Sequence, residues 1–257
     1  MKNVKLDPNG IPILSRTDIE IRTEGFIRAL APSCLDEPRA TPIASIALRL
    51  KEGYGATFLF GQDLGTTSGR KIRGCFHIPS KTIFIDKSLE EGGPRFNFTL
   101  AHEIGHFVMH QDVTPTVLAP NKRDKIEDND RDLILDHSQT DNPRSWIEWQ
   151  ANKFASSLLL PRSTLPSALL TKQKELGINR NLGKLYLNRQ QSSSFRDYRA
   201  VMDYLIFIYR VSASAIRIRL RELNILEDTS LDAEFSPRQR PSQPESIQDI
   251  LKRMFDK

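Results

Sequence analysis

Two histidines four positions apart with a glutamate between them, His102-Glu103-Ile104-Gly105-His106, are the residues of this 257-residue chain best equipped for chemistry. On a helix, such positions share one face and lie about 6 Å apart along the axis. Imidazoles so placed converge on one tetrahedral zinc ion at roughly 2.0–2.1 Å each. Glu103 is not needed as a ligand, and its carboxylate can reach a water on the ion. That set suits hydrolysis. Zinc lowers the pKa of its water and polarises a carbonyl, while the glutamate takes the water's proton and passes it to the leaving amine. The alternative is an ordinary amphipathic helix with two histidines, since the pattern arises by chance in roughly one chain in a hundred of this length. Context favours the metal. Phe98, Leu100, Ala101, Phe107 and Val108 surround the pair, and buried neutral imidazoles need partners. Gly105 gives up about 1 kcal/mol of helix propensity relative to Ala, which suggests a close approach to the backbone there.

A catalytic zinc needs a third protein ligand and an open fourth position. Glu148 is the choice. It sits beside the apolar stripe Ile147, Ala151, Phe154, Ala155 and Leu158, where a carboxylate requires a charged or metal partner. A solvated glutamate on the helix rim is the competing reading, and Asp136 and His137 are the fallback ligands. Asn152, one turn beyond Glu148, can hydrogen-bond a ligand histidine, or it is an ordinary polar helix position. His110 continues the series 102, 106, 110, but a straight helix sets it about 12 Å from His102. It reads as a helix-end or cleft-wall residue, or with Asn152 as a group supporting a ligand histidine, rather than as a ligand. His77 lies on a strand whose edge could pair with an extended substrate. It is a candidate to stabilise an oxyanion, against the plainer reading of a surface histidine.

The elements that must hold these residues follow from local signals. Ser15-Arg-Thr-Asp18 offers a cap before a short helix, and Thr41-Pro42 marks another start, with Thr41 as the capping acceptor. That second helix stops near Gly53 and Gly55. Residues 56–60, 72–78 and 81–86 read as three short strands. Helices follow from Pro94 to about His110 and from Ser145 toward Pro161, separated by a polar loop over 111–143. Two or three further helices occupy 162–225. The tail from 227 reads as mostly flexible, with a short helix at 246–255.

The composition, 39% hydrophobic and 27% charged, is that of a folded globular chain. A net charge of +5 permits an acidic partner or nucleic acid without requiring one. Cys34 and Cys75 are too few for a disulfide framework or a thiolate zinc site. No signal peptide and no membrane span is legible, so the expected compartment is the cytoplasm.

At the two motif helices the sequence resembles the ImmA/IrrE family of metallopeptidases. The residues that carry the likeness are Phe98-Thr-Leu-Ala-His-Glu-Ile-Gly-His106 with His110, then Glu148-x-x-Ala151-Asn152-x-Phe154-Ala155 and Leu158-Leu-Leu-Pro161. Thr82-Ile-Phe-Ile-Asp86 is similar to the family's lead-in strand, and Val211 to Leu223 to its C-terminal helical element. The resemblance implies an α+β, compact zincin-like fold with a small three-stranded sheet packed on the metal-binding helices. It carries the ligand roles onto His102, His106 and Glu148 and the base onto Glu103, with one Zn2+ per chain. It also implies limited proteolysis of a DNA-binding repressor encoded nearby, a helix-turn-helix repressor or an antitoxin. The longer loop and the absence of a sensor domain after 225 depart from the family pattern. The expected organisation is an N-terminal extension (1–40), a catalytic core (41–161), a helical region (162–226) and a tail (227–257). Two other classes remain. One is a DNA-binding regulator using Arg217, Arg219 and Arg221 on Val211–Leu223. The other is a metal-holding protein that binds a partner without cutting it.

Overall fold

A capping box opens the first helix of the computed structural model, which describes residues 5–8, 10–67, 69–113, 125–128, 143–188 and 191–228. The Asp18 amide donates to Ser15 Oγ, and the Ser15 amide donates to the Asp18 carboxylate at 2.9 Å, starting α1 (Arg16–Leu30). A single turn, α2 (Ser33–Asp36), leads to α3 (Ile43–Tyr54), which buries Ile43, Ile46, Ala47 and Leu50. Gly55 ends α3 in the left-handed region at φ 72°, where a glycine carries no side-chain penalty. The start of α3 differs from the sequence reading. Thr41 does not cap it; its hydroxyl donates instead to the Leu158 carbonyl at 2.7 Å. A threonine before Pro42 satisfies a distant helix end here rather than a near one.

The three expected strands are β1 (Thr57–Gln62), β4 (Gly74–His77) and β5 (Thr82–Asp86), with a minimal hairpin, β2 (Thr66–Thr67) and β3 (Arg70–Lys71), between the first two. The sheet order is β1-β5-β4-β6. β1 runs parallel to β5, and β4 is antiparallel to β5. The fourth strand, β6 (Lys125–Asp128), comes from inside the segment read as a loop and pairs antiparallel with β4, Gly74 opposite Asp128. Strand β5 is central and its residues are almost all buried, whereas β1 lies at an edge and leaves Leu59 and Phe60 partly exposed.

Asp86, at the end of β5, ties the sheet to the preceding loops. Its Oδ1 accepts from the Ser88 amide at 2.8 Å and from Lys71 Nζ at 3.0 Å, and its Oδ2 accepts from the Leu64 amide at 3.1 Å. Burial works against the charge, but these donors hold the carboxyl well below the usual carboxylate range. Asp86→Ala strands the donors and should cost about 3 kcal/mol in urea denaturation at neutral pH. The folded-state pKa is depressed, so Asp86 contributes fully above about pH 4 and loses its contribution as pH falls further. The wild-type advantage over Asp86→Ala should therefore shrink below pH 4. An unchanging gap there would refute the assignment.

Helix α4 (Pro94–Met109) begins after Gly93 with Pro94 in its first turn. It lies along α5 (Pro143–Leu159), and the two come close at Gly105. A Cβ there would stand 3.3 Å from the Ala151 backbone and 3.2 Å from the Phe154 ring. The tight approach expected at this glycine is present. The rest comprises α6 (Leu165–Glu175), β7 (Leu185–Leu187), α7 (Ser192–Tyr209), α8 (Ala213–Glu222) and β8 (Leu226–Asp228). Strands β7 and β8 form a parallel pair that three-residue segments gave no means of foreseeing.

Arg219 of α8 is 1% exposed. Its guanidinium grips the Glu20 carboxylate of α1 with both terminal nitrogens, Nη2 at 2.9 Å, and its Nε donates to the Leu160 carbonyl at 3.1 Å. Arg221 pairs with Asp228. The middle one of the three arginines considered for DNA contact thus faces the interior. Most of the 111–143 segment, the 246–255 helix and nearly all of the 227–257 tail lie outside the described residues.

Candidate metal centre

The α4–α5 crossing brings three potential ligands together. His102 and His106 project from α4, and Glu148 comes from the first half of α5; all three are buried. The two imidazole Nε2 atoms are 2.8 Å apart, and Glu148 Oε2 lies 3.1 Å from His102 Nε2 and 3.6 Å from His106 Nε2. Among the described residues, this is the one group of three or more metal-type side chains whose ligand atoms converge, all within 4.8 Å of one another. The fallback ligands Asp136 and His137 lie outside the described residues.

The donor set fits a cation. His102 Nδ1 faces Asn152 Oδ1 at 2.8 Å, so that nitrogen carries the proton and Nε2 presents its lone pair to the cluster. Burial pushes His106 down to about 4, and its ring is neutral near pH 7. For Glu148, burial opposes the charge, but the imidazoles of His106 and His102 overcome it and its carboxyl sits well below the usual range. Its Oε1 is buried and accepts no hydrogen bond from the described residues. Ring lone pairs and a carboxylate drawn this close repel one another unless a cation sits among them. Two nitrogens and one carboxylate oxygen are a zinc donor set that leaves a fourth position open.

Glu103, next to His102 in sequence, is fully buried and packs on the sheet. A Cβ at Gly74 of β4 would fall 2.5 Å from Glu103 Oε1 and 2.6 Å from a Thr99 methyl. Only a glycine leaves room for that carboxylate. Nothing in the sequence singled out Gly74, because its signal is steric and becomes visible only once α4 is packed on β4.

The other candidates separate. Asn152 contacts His102 through its side-chain oxygen. His110 is the C-cap of α4, completely buried, with Nδ1 3.0 Å from His106 Nδ1. It lies within the packed interior rather than on a cleft wall. His77 ends β4 with its Nδ1 2.6 Å from Ser80 Oγ. Three residues of strand, about 10 Å, separate it from Gly74, and it is not part of the cluster. The expectation that β4 offers a free edge to a substrate is corrected, since β5 and β6 occupy both of its edges. Among the described residues, no helix is long and apolar enough to cross a membrane.

Comparison with known proteins adds a family match and a weak structural likeness. The model of the peptidase M78 family, described as the IrrE N-terminal-like domain, matches residues 58–187. That interval holds both histidines, Glu103, Glu148 and the sheet. A search of curated proteins finds no match. Among solved structures, a Mycobacterium tuberculosis transcriptional regulator is similar at 15% identity and a TM-score of 0.44, covering 79% of this chain and 46% of that one. The chain thus spans less than half the length of that protein.

Proposed function

Because the chain belongs to the peptidase M78 family, IrrE N-terminal-like, we propose that it is a zinc-dependent endopeptidase whose metal is held by His102, His106 and Glu148 and whose general base is Glu103. The observation that carries the reading is the convergence of three buried ligand atoms within 4.8 Å, with an acid adjacent in sequence to the first of them. A zinc ion there would supply an activated water and a Lewis acid. The protein's own contribution is positional. Asn152 orients the His102 ring, Gly74 makes space for the Glu103 carboxylate, and Glu103 takes a proton from the attacking water and returns it to the leaving amine. The substrate we propose is a protein, and on the family resemblance a DNA-binding repressor encoded nearby. The same resemblance favours a catalytic core at 41–161 with a helical region after it.

The decisive experiment combines metal analysis with cleavage. Purified protein should carry about one zinc per chain and cut the product of the neighbouring reading frame. Chelator should stop the reaction and added zinc should restore it. Stoichiometric zinc without any cleavage would favour a binding protein, and chelator-resistant cleavage would remove the metal mechanism.

A steric variant tests the role of Gly74. Gly74→Ala should displace the Glu103 carboxylate while leaving the three ligands alone. Zinc content should stay near wild type and kcat should fall about 100-fold, the scale of an ångström-sized misplacement. Unchanged kcat would show that the strand does not set the position of the base.

A further inference from the structure

His106 is held from behind by a chain of polar contacts that ends outside the family-matched residues. His106 Nδ1 meets His110 Nδ1 at 3.0 Å, His110 Nε2 meets Gln150 Oε1 at 3.0 Å, and Gln150 Nε2 donates to the Pro12 carbonyl at 2.6 Å. His106, His110 and Gln150 are each 0% exposed, so no solvent substitutes for a missing partner. Direction in this chain is fixed from its far end. A backbone carbonyl only accepts, so the Gln150 amide nitrogen must face Pro12 and its oxygen must face His110. His110 therefore carries its proton on Nε2 and, as a neutral ring, offers the Nδ1 lone pair. His106 must then donate from Nδ1, which leaves its Nε2 lone pair aimed at His102 Nε2 and Glu148.

We propose that the Pro12 carbonyl, Gln150 and His110 are a relay of positioning groups that locks His106 in its Nδ1–H tautomer, the form able to ligate a metal through Nε2. The segment before α1, with Ile11 and Leu14 buried beside Pro12, is on this view a structural part of the centre although it precedes the matched residues 58–187. The relay rests on the metal reading for its purpose, but its tautomer claim stands apart from it.

The test uses full-length, 15N-labelled protein. Long-range proton–nitrogen spectra of the metal-free form should show His106 protonated on Nδ1 in the wild type. Gln150→Met should lose that single tautomer and bind zinc about 10–100-fold more weakly in chelator competition. His110→Gln can accept at one end and donate at the other, and should stay within a few-fold of wild type. His110→Phe, matched in shape only, should not. Circular dichroism controls for folding, and if Gln150→Met fails to fold, the two His110 variants decide. Wild-type tautomer and affinity in Gln150→Met, or equal zinc binding by His110→Phe and His110→Gln, overturns the relay. If the wild type takes up no zinc at all, the metal reading fails, and the tautomer spectra still uphold or refute the relay.

Discussion

Glu103→Gln should bring cleavage of the protein substrate down by about 1000-fold while the zinc content of the purified protein stays at wild type. The magnitude is that of losing a positioned general base. The side chain keeps its shape and its place against Gly74, so neither packing nor ligation gives a reason for the loss. An amide cannot take the water's proton at neutral pH. The burial of the site makes the substitution informative. A fully enclosed carboxylate is costly to keep, and its retention calls for a role. Metal analysis and single-turnover cleavage on one preparation separate the outcomes. Full activity in this variant would move the base elsewhere, whereas loss of zinc together with activity would make Glu103 a ligand or a support for one.

Glu148→Ala should remove the metal itself. Its Oε2 is the only carboxylate oxygen that converges on both imidazoles among the described residues. The loss in zinc affinity should exceed the roughly 10–100-fold that follows removal of an outer hydrogen-bond partner. Activity should vanish with it. The same variant removes one of the three groups that hold the ion, so added zinc should raise the stability of wild type and not that of Glu148→Ala. Chelator competition and denaturation with and without zinc would show both effects. Near-normal zinc affinity would return attention to Asp136 and His137.

The site was legible where chemistry imposes spacing, and hidden where geometry imposes it. The i, i+4 histidines and the glutamate between them follow from helical periodicity, and Glu148 from a carboxylate beside an apolar stripe. Gly105 betrayed itself by its propensity cost and does meet α5 at 3.2–3.3 Å. Gly74 and Gln150 gave no such sign. A glycine in a strand has many explanations, and a glutamine between Trp149 and Ala151 looks like a surface position until the helix proves buried on that side as well. The sheet shows the same division. Alternation exposed β4 and β5, but β6 is four residues in a polar stretch, and its pairing with β4 depends on a partner some fifty residues earlier in the chain. Thr41 shows that a residue type can be right for a role and still take another, because a nearby tertiary acceptor wins over the local one.

The clasp of Arg219 on Glu20 bears on how the molecule comes apart. Its partners stand 199 positions apart, and the Leu160 carbonyl between them closes the helix that carries Glu148. Peeling α8 away would break this ion pair together with the bond to the Leu160 carbonyl, and both would have to be lost in one step. Fraying from the carboxyl-terminal side is thereby discouraged, and melting should proceed as one cooperative event in which hydrolytic competence and tertiary order disappear together. A protease trimming toward residue 219 would meet an all-or-none threshold rather than a gradual decline.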